Sequence, residues 1–208
     1  MNIRFPHLTT SLVVVLFALS ALAGCATVDQ KIALTYTPTS QPSVKQGSEI
    51  SVARLDPPSA TRNSHDQWVI GTINNVHGVP QANILSDRSI GEWISAALLL
   101  ELKRSGFTAA YATSPPPSGD RGILITDINA FLNVNQGTIS DEIKQELRFN
   151  VDVFLKGVKV KTFSVASRDS RTVPLSATAE EKELIMLHSL QDAMHQVIPE
   201  IISLTGKK

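Results

Sequence analysis

Only a few side chains in this sequence have the types and spacing that acid–base, metal or thiol chemistry requires. His188, Asp192 and His195 are separated by four and three residues, so on a helix they share one face. Two imidazoles and a carboxylate could hold zinc and leave a coordination position open. The same residues also fit a solvated flank beside the apolar stripe of Leu187, Met194 and Val197. No outer partners that would orient the imidazoles can be identified, so the flank is the simpler reading and no metal ligand is expected. Ser64-His65-Asp66 contains the residue types of a hydrolytic triad. Triads are assembled from separate parts of a fold, and sequence neighbours rarely face one another correctly. These three are expected in a polar loop. No G-x-S-x-G, phosphate-loop or dinucleotide glycine pattern occurs. No catalytic residue, cofactor or enzymatic activity is expected. Cys25 is the only cysteine, which excludes a disulfide within the chain.

The surroundings of Cys25 give its thiol a use. Arg4 precedes an apolar run from Leu12 to Ala23 that only Ser20 interrupts. The run is shorter than the roughly 20 apolar residues of a spanning helix, and it fits the apolar region of a secretory signal. It ends in Leu22-Ala23-Gly24-Cys25, which resembles a bacterial lipobox. The resemblance implies diacylation of the Cys25 sulfur, cleavage after Gly24 and acylation of the new amino group. Several acyl chains on one residue make a stable anchor where a single chain holds only marginally. Ala26 stands where an aspartate favours inner-membrane retention in enterobacterial-type lipoproteins. By that resemblance the expected location is the outer membrane, facing the periplasm, with the membrane as partner through Cys25.

Basic and acidic residues balance at 19 each, which argues against a nucleic-acid-binding surface. The expected organisation is a signal peptide (1–24), a lipidated Cys25 with a flexible tether (25–47) and a single globular domain (48–208). The tether is rich in Thr, Ser, Gln and Pro, carries few apolar anchors and is expected to be mostly dispensable for folding. Within it, residues 32–36 alternate weakly, as a first strand would.

The elements that would position any site follow from periodicity. Strands are expected at Glu49–Leu55, at Trp68–Asn74, in a short segment ending near Leu85, up to Tyr111, over 122–134 and over 142–155. In 142–155 Ile143, Leu147, Phe149, Val151, Val153 and Leu155 alternate with Lys144, Glu146, Arg148, Asn150 and Asp152, so one face is buried and one wet. Lys156-Gly157 turns the chain into a returning arm, Val158–Val165, whose alternation slips between Val160 and Phe163, as at a bulge. A helix is expected from about Ile90 to Ser105, with Ser89 and Glu92 as capping box and Gly106 as stop. Its apolar face would hold Trp93, Ile94, Ala97, Leu98, Leu100 and Leu102, leaving Glu101, Lys103 and Arg104 wet. A second helix starts at Thr178, with Pro199 expected to kink or split it. The fold class is therefore α+β: a two-layer domain, mostly antiparallel sheet, with two helices packed on one face.

Gly71-Thr72-Ile73-Asn74-Asn75, then Asp87-Arg88-Ser89-Ile90 leading into Trp93-Ile94, Ala97-Leu98, Glu101-Leu102 and Gly106-Phe107, resemble the YajG family of bacterial lipoproteins over roughly residues 48–204. The family resemblance implies location and fold, and no known reaction. The expected function is a non-enzymatic binding or scaffold component of the envelope. The alternative is an auxiliary subunit of an envelope transport or cell-wall complex that binds lipid or glycan. A protein partner is expected along the hairpin 142–165, where an edge strand could accept another chain, rather than through Ser114-Pro115-Pro116-Pro117-Ser118-Gly119, which reads as a stiff surface loop.

Overall fold

The computed structural model describes residues 28–39, 48–58, 60–112, 114, 117, 119–174 and 176–205. The expected signal peptide, Leu22, Ala23, Gly24 and Cys25 of the lipobox, Ala26, residues 40–47 of the expected tether and Pro115-Pro116 lie outside the described residues.

The chain folds as an α+β domain with its core between one mixed sheet and two helices. The strands are β1 (Gln30–Lys31), β2 (Glu49–Arg54), β3 (Trp68–Asn74), β4 (Pro80–Ser86), β5 (Thr108–Tyr111), β6 (Arg121–Asn135), β7 (Ser140–Leu155) and β8 (Val158–Pro174). The helices are α1 (Ile90–Arg104) and α2 (Ala179–Thr205). Three long antiparallel strands, β6, β7 and β8, form a spine. The outer wings attach to the other edge of β6: β2 with β5 at one end, and β3 with β4 and β1 at the other. Pairing is antiparallel in the spine and the β3–β4 hairpin and parallel elsewhere.

The hairpin between β7 and β8 turns on Lys156 and Gly157, with φ of 50° and 74°, the left-handed pair that a two-residue hairpin requires. The slip in β8 is a bulge: Val153 pairs with Lys161 while Phe154 pairs with Lys159, leaving Val160 unmatched. β8 continues nine residues past the expected Val165. Its second half is built largely from small and charged residues that carry little hydrophobic periodicity, yet β7 offers a template along its whole length.

Both helices start with reciprocal caps. Ser89 Oγ accepts from the Glu92 amide at 3.0 Å, and the Glu92 carboxylate accepts from the Ser89 amide at 3.1 Å. The amide of Thr178 donates to Glu181 at 2.8 Å, and Thr178 Oγ1 accepts in return at 3.2 Å. α2 runs through Pro199 as one helix, contrary to the expected split, because Ile201 and Thr205 beyond it are buried and packing offsets the lost backbone bond. Two positions on α1 also differ from expectation. Leu100 is 37% exposed, and Glu101 is only 1% exposed.

Glu101 is buried because residues 28–39 cross the helices. This stretch falls in the expected tether, and for these residues the structure corrects that reading to a docked strap. Ile32 and Leu34 enter the main core. Ile32 donates to the Leu85 carbonyl at 2.9 Å. Trp93 Nε1 donates to the Thr35 carbonyl at 2.8 Å, and Gln191 Nε2 to the Thr37 carbonyl at 2.8 Å. The Tyr36 hydroxyl and the Thr39 amide both donate to Glu101. The regular pairing expected at 32–36 is instead confined to Gln30 and Lys31.

Burial, reinforced by the Glu101 carboxylate, holds the Tyr36 phenol far above its ordinary range. A folded-state value raised above the unfolded value of about 10 gives stability that is fully present below pH 10 and lost as pH rises further. The urea midpoint is therefore expected to fall above pH 10, and Tyr36→Phe should flatten that fall. Lys182 acts with the opposite sign in the alkaline range, since burial pushes its ammonium down, but it is common to both proteins and cancels in the difference. At neutral pH the variant should lose about 1–2 kcal/mol with the hydrogen bond. Identical alkaline profiles would refute this account.

Candidate functional site

The junction in β6 creates the most site-like feature. Its edge pairs with β2 through Gly122–Ile125 and with β3 through Leu132–Asn135. Between those stretches no named strand pairs with it. The interruption coincides with a bulge, where Asn129 faces Arg148 but Thr126 faces Asn150. The extra residue includes Asp127 at φ 51°, a conformation that Asp tolerates better than most residues, and Asn150 Nδ2 holds its carboxylate at 2.7 Å. The bulge reverses the side-chain parity of the strand. Ile123 and Ile125 before it and Ile128, Leu132 and Val134 after it consequently all reach the main core.

Where the two wings part, a cleft of about 240 Å³ opens beside the first turn of α1. Trp68, Ile70, Ile90, Ile128 and Phe131 provide apolar walls, and Asp56, Thr61 and Ser89 provide polar groups. Gly91 lets Asp56 close over the helix end: a Cβ there would lie 2.1 Å from the Asp56 carboxylate. Arg54 fixes that carboxylate at 3.0 Å and reaches Glu92 at 3.6 Å. Arg62 stacks 4.1 Å from the centre of the Trp68 ring, a cation–π contact at the mouth. The arrangement can seat an apolar group against a polar rim.

The helix-free face of the spine carries shallow polar depressions. One, of about 730 Å³, lies among Asn129, Arg148, Asn150, Ser164 and Arg168. Its cations are partly neutralised: Arg168 donates to Glu146 at 2.9 Å and Arg148 also pairs with it. The Arg168 hydrogen bond, with Arg148 adding to it, holds the Glu146 carboxyl below the usual range. Among the described residues no strand pairs with the outer edge of β8. Its second half lies under α2, where Gln196 donates to the Ala166 carbonyl at 3.3 Å. Its first half exposes Val158 and Val160 beside Lys159 and Lys161.

The sequence candidates fall elsewhere. His188, Asp192 and His195 lie exposed on α2, and no metal-holding cluster occurs among the described residues. Ser64, His65 and Asp66 occupy an exposed turn organised by Asn63, whose Oδ1 accepts from the His65 and Gln67 amides, while Asp66 pairs with Arg62. Sequence reading missed Asp56, Gly91 and Asp127. The signal for the last was the step from Ile125 to Ile128, which breaks a period of two.

No family model matches the chain. No curated protein matches it either. Among solved structures it is similar to a Xanthomonas campestris protein of the DUF330 family, with 12% identity, a TM-score of 0.48, and 85% of this chain and 96% of that one covered. It is also similar to a Helicobacter pylori protein described as a homolog of the neuraminyllactose-binding hemagglutinin, with 7% identity, a TM-score of 0.43, and coverage of 80% and 92%. A third similar structure, of an uncharacterized protein, has 13% identity, a TM-score of 0.36, and coverage of 83% and 99%. At these scores the likenesses carry no functional argument.

Proposed function

We propose that the chain is a YajG-type envelope lipoprotein, anchored in the outer membrane through Cys25 and facing the periplasm. Its domain acts as a non-enzymatic binding or scaffold component. The lipobox-like sequence supports the anchor. The observation that supports binding is the cleft at the β6 junction. At about 240 Å³ it falls below the roughly 300–1,000 Å³ of clefts that enclose drug-sized ligands. It suits an apolar side chain presented by a protein partner, and the stretch of β6 beside it, which no described strand pairs on that edge, offers a place for the partner's main chain. The β8 edge is a weaker candidate, because a bulge and two lysines guard it in the way that exposed edges are kept from pairing.

A second reading, an auxiliary subunit of a transport or cell-wall complex that binds lipid or glycan, draws support from Asn129, Asn150 and Arg168 grouped in the outer depression. Photo-crosslinking residues placed in cells at Thr61, Ser164 and Val160 separate these surfaces. Protein adducts are expected from Thr61. Adducts confined to Val160 would move the partner to the β8 edge, and lipid or glycan adducts confined to Ser164 would favour the second reading.

A further inference from the structure

The strap determines where the lipid emerges from the domain. β1 runs parallel to β4, with Gln30 opposite Ile84 and Lys31 opposite Leu85. One residue earlier, Asp29 accepts from the Asn83 amide at 2.8 Å and from its side chain at 3.3 Å. Followed towards its N-terminus, the strap therefore travels down β4 towards the β3–β4 turn. Val28 ends the described segment 73% exposed, and Cys25 is three residues away. Three residues of chain span at most about 11 Å. The same number of strand positions, at about 3.3 Å each, separates the level of Ala82 from that of Val79. The lipidated residue can thus reach the level of the turn and little further.

The turn suits a lipid surface. Asn75 holds it rigid: its Oδ1 accepts from the His77 amide at 2.9 Å and the Val79 amide at 3.0 Å. The Asn75 and Val79 backbones pair at 2.9 Å. Val76 and Val79 stand on the tip, 60% and 51% exposed. No Asp, Glu, Lys or Arg occurs anywhere from Trp68 to Ser86, in a chain that is 18% charged. The nearest ion pair of this wing, Lys31 with Asp87 at 2.6 Å, lies at the opposite end of β4. Val76 and Val79 at the tip can enter a bilayer surface and gain from burial there, while the nearest carboxylate, Asp29, is held back at the level of Asn83.

We propose that the β3–β4 tip, Val76 and Val79 together with Val28, rests in the surface of the phospholipid bilayer that holds the Cys25 lipid. The inference rests on the lipidation reading. It makes the domain a body seated on the membrane by two contacts, with the β6 cleft turned to the periplasm's contents at a set orientation.

Lipidation consumes the only thiol, so Val79→Cys supplies a unique labelling site on an exposed turn, and Ser170→Cys on β8 supplies a control. Each lipidated protein is labelled with an environment-sensitive fluorophore and reconstituted in phosphatidylethanolamine–phosphatidylglycerol vesicles. Acyl attachment is checked by mass on the same samples. The position-79 label is expected to shift to the blue and to be quenched at least twofold by headgroup-level nitroxide lipids, while the position-170 label stays water-like. An acylated protein whose two labels behave alike overturns the tip contact and leaves lipidation standing. A blue-shifted label that nitroxide lipids do not quench is packed against protein and also overturns it. A chain without acyl groups overturns both readings.

Discussion

Replacing Cys25 with alanine is expected to abolish acyl labelling and to leave an uncleaved precursor that no longer reaches the outer membrane. The effect should be complete rather than graded. Thioether attachment needs sulfur, and the chain holds no other cysteine to substitute for it. Each buried methylene contributes about 0.8 kcal/mol to membrane attachment, and a single acyl chain is only marginal. Losing every chain therefore removes lipid anchorage outright. The fold should survive, because the substitution leaves in place the described core, which runs from Ile32 to Ile201. Palmitate incorporation and membrane fractionation measure the loss, and a melting curve checks the domain. Continued acyl labelling of the variant would sink the lipoprotein assignment.

A chain that begins at Ser48 is expected to be severely destabilised relative to one that begins at Ala26. Ile32 and Leu34 are nearly or fully buried, and burying each contributes roughly 1.5–3 kcal/mol. Their joint loss, roughly 3–6 kcal/mol, is a large part of the 5–15 kcal/mol that a typical domain possesses. Three polar groups would lose partners as well: the Trp93 indole its Thr35 carbonyl, Glu101 its two strap donors, and the buried Lys182 ammonium its Gln30 side chain at 2.8 Å. Lys182 keeps the Ala177 and Thr178 carbonyls, and the uncovered groups turn to water, so each lost bond adds about 0.5–1.5 kcal/mol to the loss of burial. Urea denaturation of the two chains gives the difference directly, with loss of near-ultraviolet dichroism as the sign of a molten product. Ile32→Ala and Leu34→Ala, each expected to cost about 2–5 kcal/mol, test the same point without truncation. Equal midpoints for the long and short chains would show that the strap merely lies on the domain.

The contrast between these two segments explains what was legible. Leu22–Cys25 is a local pattern of residue types, and its lipidation is the proposal that the Cys25 substitution tests. Both helix caps are local patterns too, where a hydroxyl and a carboxylate three residues apart bond each other's backbone. Trp68–Asn74 and Ile90–Arg104 match expectation closely because their periodicity lies within the segment. The strap does not announce itself in this way. Ile32 and Leu34 sit among threonines, prolines and serines, and only the groove between α1, α2 and β4 shows that they are anchors. Glu101 reads as solvated until the strap is laid over it. The cleft at β6 needs two wings, a bulge and Gly91 under Asp56, which are brought together from sequence positions far apart.

The sequence by itself determined the elements, their caps, the alternation of β7, the turn at Lys156-Gly157 and a fold class of sheet with two covering helices. These follow from bonds and periods spanning a few residues. The tertiary structure alone decided that β6 takes two parallel partners on one edge, that β8 runs to Pro174, and that residues 28–39 belong to the core. Each of those depends on a register between distant segments. Register is set by which arrangement buries the most apolar surface while pairing the most backbone groups, and that comparison can be made only over the whole chain at once.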